Sequence, residues 1–196
     1  MRHVIASIAI ILCATSALQA EPIHDAAKAG DVALVRQLVS QGADVSKPNE
    51  AGEPPLIIAA LAGNADVVAV LLENGSNIEI RNKLGLTALH AAAFAGKLDV
   101  AKLLVEKGAV VNDTHNLYKM SPLHAASEEG HADVVAFLIE HQADIEAKER
   151  NGYTPLTQAG WREYWDTAAL LMKAGASCQS AEVVGDWLYN ECTKRK

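Results

Sequence analysis

Basic clusters are nearly absent from this chain. Its 24 acidic residues outnumber 17 basic ones for a formal charge of −7, and Lys194-Arg195-Lys196 is the only basic run. Nucleic acid and anionic membrane are held by clustered Lys and Arg, so neither is an expected partner, and the basic tail reads as a solvated chain end. Long apolar runs are scarce as well. Val4 to Ala14, apolar but for Ser7, would span about 16 Å as a helix, half of a bilayer core, which is too short for an anchor. Cysteine occurs only at Cys13, Cys178 and Cys192, with no Cys-x-x-Cys pair, and there is no phosphate loop, Gly-x-Ser-x-Gly or His-Glu-x-x-His. The adjacent carboxylates Glu128 and Glu129 would diverge by about 100° on a helix, so they do not form an acid–base pair. These absences point away from an enzyme and from any cofactor. Aromatic residues are few, and six of them (Tyr153, Trp161, Tyr164, Trp165, Trp187 and Tyr189) crowd into the last 44 residues.

What the chain has is repetition. Leu56, Leu89, Leu123 and Leu156 lie 33, 34 and 33 residues apart, and Ile23 stands 33 before Leu56. Gly42-Ala43, Gly75-Ser76, Gly108-Ala109, Gln142-Ala143 and Gly175-Ala176 step by 33, 33, 34 and 33. Both registers count five copies and place one extra residue between Ala109 and Leu123. The fullest copy, Leu84 to Val111, carries Thr87-Ala88-Leu89-His90-Ala91-Ala92, Gly96, Val100, Leu103-Leu104 and Gly108-Ala109. It resembles the ankyrin repeat, whose pattern is Gly-x-Thr-Pro-Leu-His-x-Ala-Ala, then Gly-His, Val-x-x-Leu-Leu and Gly-Ala. The likeness covers roughly residues 22–177. It implies a mainly α fold, a solenoid of paired antiparallel helices with hairpin-like loops. The five repeats are expected at about 21–48, 49–82, 83–116, 117–150 and 151–177, with a C-terminal capping helix within 178–196.

Individual copies depart from the pattern in informative ways. Repeat one lacks a preceding loop and carries Lys28, Asp31, Arg36 and Gln37, as a polar terminal cap should. In repeat two Ile57 stands at the His position, which removes one polar link between repeats and keeps an apolar contact. Repeat four has Lys119 where repeat three has Gly85, so a distorted loop is expected over 112–119. In repeat five Glu163 replaces the Gly of the other copies, so either the first helix ends early at Gly160 or Glu163 sits in an unfavourable turn. Beyond it Val183, Val184, Trp187 and Leu188 have the intervals of a helix face that could cover the open end.

The N-terminus reads as an export signal: Arg2 and His3, the short apolar run, and a small residue at Ala20 before Glu21. Residues 1–20 are expected to be removed. Arg2 is the only charged residue among them, so its loss takes the formal charge from −7 to −8. Cys13 follows Ile-Ile-Leu, whereas a lipoprotein box has a small residue before its Cys, so lipidation is not expected. Export leaves Cys178 and Cys192, and an oxidising compartment favours their pairing. One straight helix would hold their Cα atoms about 21 Å apart, whereas a disulfide needs about 4.4–6.8 Å. The segment must therefore fold back, and Gly185-Asp186 offers the break.

Seven histidines raise the question of metal, but His24, His90 and His124 occupy one position in separate repeats, too far apart to chelate together. No metal site is expected, and His115, His131 and His141 read as solvated. Asn74-Gly75-Ser76 and Asn112-Asp113-Thr114 match the glycosylation sequon and read as chance matches.

Ankyrin-like proteins hold other proteins on the loop tips and exposed first-helix faces. By repeat position that surface comprises Glu50, Glu53 and Leu61 in repeat two, and Lys83, Leu86 and Phe94 in repeat three. Repeat four contributes Tyr118, Glu128 and Glu129, and repeat five Arg150, Tyr153, Trp161 and Arg162. The resemblance implies a protein-binding module with another protein as partner, and with the export signal the expectation is a monomeric, exported module of bacterial periplasmic type. A structural or protective periplasmic factor and a secreted effector are the alternatives. The terminal aromatic cluster is either the hot spot of that surface or a cover for the end of the stack.

Overall fold

A computed structural model of the chain describes residues 22–195. The expected export signal and its junction lie outside the described residues. Twelve helices and no strand occur among the described residues. Five antiparallel pairs come first: α1 (Pro22–Ala29) with α2 (Val32–Ser40), α3 (Pro55–Ala62) with α4 (Ala65–Glu73), and α5 (Ala88–Phe94) with α6 (Leu98–Glu106). They continue with α7 (Pro122–Glu128) and α8 (Ala132–Glu140), then α9 (Pro155–Trp161) and α10 (Trp165–Lys173). The first helices stack side by side in one layer and the second helices in another. No helix among the described residues is long and apolar enough to cross a membrane.

The periodic residues become columns of core. Leu56, Leu89, Leu123 and Leu156 are all buried in the first layer, and Leu71, Leu104, Leu138 and Leu171 in the second. Burying each such side chain stabilises by about 1.5–3 kcal/mol, and each column is shared between neighbouring repeats. The helices approach closely because Ala27, Ala60 and Ala93 form a column of small residues, continued by Ser127 and Gly160.

The histidines stitch repeat to repeat. In α5 the backbone N–H of Thr87 donates to Nδ1 of His90 at 3.3 Å, so the ring proton sits on Nε2, which donates to the carbonyl of Met120 at 2.9 Å. His124 repeats the arrangement with Ser121 N–H at 3.2 Å and the Tyr153 carbonyl at 3.1 Å. Burial pushes both rings below the usual imidazole range, which keeps them neutral. The other histidines are engaged rather than merely solvated. His131 hydrogen-bonds the Phe94 carbonyl at 2.9 Å, His115 the Asp113 carboxylate at 2.9 Å, and His141 packs on Phe137.

The fingers between pairs are shaped by Asn49, Asn82 and Asn116. Asn82 Oδ1 accepts the N–H groups of Leu84 and Leu86, both at 3.0 Å, and Asn116 Oδ1 those of Tyr118 and Met120, both at 3.1 Å. Glu149 does the same in repeat five through Asn151 and Tyr153. Since Asn82 and Asn116 are equivalent, the surplus residue lies between Ala109 and Asn116. There Asp113 turns inward, 2% exposed, and accepts both Arg81 Nη1 at 2.7 Å and Nη2 at 3.1 Å. Burial alone would raise the Asp113 carboxyl, but Arg81 and His115 outweigh it and hold it at about 2. Lys119 takes φ 53°, the same left-handed turn that Gly85 takes at φ 81°, and its N–H donates to the Asn116 carbonyl as that of Gly85 does to Asn82, so the finger tip keeps the regular shape rather than the distortion expected from losing the Gly. Asn112 donates to the Gln142 carbonyl and accepts from the Asp144 N–H, and Asn74 donates to the Val70 carbonyl, so both sequon amides serve the scaffold.

In repeat five the first helix runs through Gly160, and Glu163 takes φ 61°, the unfavourable turn rather than the early stop. Gly160 has another role: a Cβ there would lie 2.7 Å from Leu188 of the cap. The cap is two helices rather than one, α11 (Ala181–Val184) and α12 (Asp186–Arg195), broken at Gly185 with φ 82°. Cys178 and Cys192 form a disulfide with Cα atoms 6.0 Å apart. Gln179 beside it accepts from Thr154 N–H and Thr157 Oγ1 and donates to the Gly152 carbonyl at 2.8 Å. It takes the place of the next repeat's finger.

Candidate functional site

A groove of about 620 Å³ runs across the first helices and fingers of repeats two to five. The layering explains its position. Each first helix buries one face against its neighbours and its partner helix, and the remaining face is bordered by the projecting fingers. Nine of the residues expected on the binding surface line it: Glu53, Leu61, Leu86, Phe94, Tyr118, Glu128, Tyr153, Trp161 and Arg162. Glu50, Lys83, Glu129 and Arg150 do not. Lys83 Nζ instead donates to the Glu50 carbonyl at 2.9 Å, and the Arg150 N–H to the Tyr118 carbonyl at 2.7 Å, so these positions tie finger to finger.

The lining also includes residues that repeat position did not bring forward: Ile57, Asn82, His90, Ala91, Met120, Ala125, Glu149, Asn151 and Gln158. The step of 33 and 34 residues linking Asn49, Asn82 and Asn116 was the available signal for Asn82. Gln158 had none, because its place in the lining depends on how repeat five meets repeat four. Its amide oxygen is buried and has no hydrogen-bond partner among the described residues.

The lining is mostly apolar. Phe94 is 48% exposed, Leu61 47% and Trp161 39%, exposure that a residue serving only the core would not show. Trp161 is held edge-on by Tyr153, ring centroids 4.3 Å apart. Arg162 donates to Glu128 at 2.8 Å, joining α9 to α7 along the wall and raising the guanidinium above its ordinary value. The aromatic cluster therefore divides. Tyr153 and Trp161 face the groove, whereas Trp165 packs against Trp187 and under Arg195 in the cap.

The charges are unequal: Glu53, Glu128 and Glu149 against Arg162. Glu149 is spent on its own finger, and Glu128 on Arg162. Glu53 receives only the neutral amide of Asn82, at 3.2 and 3.3 Å, and among the described residues no cation lies within ion-pair distance of it. The lining histidine, His90, has both ring nitrogens committed to the scaffold.

A family model described as Ankyrin repeats (3 copies) matches residues 23–115 and again 109–182. No curated protein matches the chain.

Proposed function

The chain belongs to the ankyrin-repeat family, and on that premise we propose that it is an exported, non-enzymatic module that binds a partner protein in the groove of repeats two to five. The observation that carries the reading is the groove itself, an apolar concavity with Phe94, Leu61 and Trp161 held open to solvent on rigid helices. Ankyrin repeats generally mediate protein–protein interaction, and aromatic residues and Arg dominate the energetics of such contacts. Export is supported by the short apolar run before Ala20 and by the Cys178–Cys192 disulfide, which is at home in an oxidising compartment such as the periplasm.

The test uses a photo-crosslinking residue placed at Phe94 in the groove, and at Lys102 on α6 as a control for the opposite layer. One stoichiometric partner captured from Phe94 and not from Lys102 supports the reading. A smear of proteins, or equal capture from both positions, overturns it in favour of a broad protective factor. N-terminal sequencing of the isolated protein is expected to begin at Glu21, and an intact Met1 in a membrane fraction overturns export.

A further inference from the structure

We propose that the segment received by the groove is extended, apolar and cationic: a strand of about nine residues with Leu- or Phe-type side chains and at least one Lys or Arg. This deepens the proposed function and rests on it. Length follows from the stack. The lining runs from Glu53 in repeat two to Arg162 in repeat five, three repeat intervals of about 8–10 Å, and an extended chain advances about 3.3 Å per residue. Apolar character follows from the floor, where Ile57, Ala91 and Ala125 lie beneath the exposed Leu61 and Phe94 and offer nothing to a polar side chain.

The sign of charge follows from the wall. Three carboxylates face one guanidinium, and that guanidinium is already bound to Glu128. An acidic segment would meet Glu53 with no cation to compensate, whereas a Lys or Arg there gains a partner that the fold does not supply. The formal charge of −7 over the whole chain adds long-range attraction of the same sign. At the repeat-five end the Gln158 amide oxygen is buried and unpaired among the described residues, and turning that side chain into the groove would let it accept a main-chain N–H of the bound segment.

The experiment is a fluorescence-anisotropy titration of the full chain, disulfide intact, with three labelled nine-residue peptides: one alternating Leu with Lys, one alternating Leu with Glu, and one alternating Ser with Lys. The Leu–Lys peptide is expected to bind at least about tenfold more tightly than either other peptide and to weaken as NaCl rises. Glu53→Gln is expected to weaken it about two- to fivefold with an unchanged melting temperature, and Glu53→Lys to weaken it further. Equal or tighter binding of the Leu–Glu peptide overturns the proposal, as does a Glu53→Gln variant indistinguishable from wild type. So does self-association of the chain that Phe94→Asp abolishes, since the occupant would then be a second copy. Should no peptide bind while Phe94 still crosslinks one partner, the inferred chemistry fails and the groove reading stands. Loss of selective crosslinking at Phe94 removes the groove reading itself.

Discussion

At the scale of single residues, the departures from the repeat are where the physics is most exposed. Ser127 stands in the small-residue column that elsewhere holds Ala27, Ala60 and Ala93, and it is fully buried with no hydrogen-bond partner for Oγ among the described residues. A hydroxyl buried without a partner costs about 1–3 kcal/mol, so Ser127→Ala is expected to stabilise by roughly 1 kcal/mol, a rise of about 2–4 °C in melting temperature. A calorimetric scan showing a lower melting temperature would mean that Oγ is satisfied after all. Glu163 illustrates the opposite sign of the same logic. Its counterparts in the other repeats, Gly63, Gly96 and Gly130, adopt positive φ without penalty, and Glu163 takes the same turn, closed by the Tyr164 N–H donating to the Ala159 carbonyl at 2.9 Å.

At the scale of elements, two devices hold one unit to the next. The first is the buried imidazole, and its pH dependence has a definite sign. His90 and His124 have folded-state pKa values below the ordinary value of about 6.5, so the unfolded chain takes up protons first as pH falls. Their contribution is complete above about pH 6.5 and is lost as pH drops through the lowered values. Melting temperature is expected to hold steady from pH 8 to 7 and to fall below 6.5. His124→Gln should be less stable at pH 7.5 but show a flatter profile between 6.5 and 5; an equally steep profile would assign the loss to other groups. Asp113 acts at lower pH with the same sign, contributing about 2 kcal/mol above pH 3.8 that disappears as the carboxyl is protonated towards its folded value of about 2. The second device is the disulfide-tied cap. Closing a loop of about 15 residues is worth up to about 3 kcal/mol in the chain-entropy model. In a Cys178→Ser/Cys192→Ser variant, hydrogen exchange is expected to quicken over 178–195 and in the finger of repeat five, which Gln179 holds, with repeats one to three unchanged. Quickening throughout the stack would show that the cap governs the whole domain.

At the scale of the molecule, groove and cap both rest on repeat five through different residues, and the aromatic residues serve both. Trp161→Ala is expected to weaken binding of the crosslinked partner with little change in melting temperature. Trp165→Ala should cost about 2 kcal/mol of stability and leave affinity nearly unchanged, because its ring sits between Trp187 and Arg195 rather than in the groove. If both variants lose only stability, the cluster is a cover and nothing more. The five units, the apolar columns at Leu56, Leu89, Leu123 and Leu156, and the extra residue before repeat four were all legible in the sequence, because a solenoid imposes its period on every buried position. So were nine of the groove residues, since position within a repeat determines which face a side chain takes. The rest depended on contacts between repeats, which periodicity does not encode. Tertiary packing decided that Lys83 and Arg150 tie fingers together, that Glu149 stands in for Asn, and that Gly160 makes room for Leu188. It also turned Asp113 inward onto Arg81 and brought Gln158 into the groove lining, because burial and hydrogen-bond partners come from neighbouring units and not from local spacing.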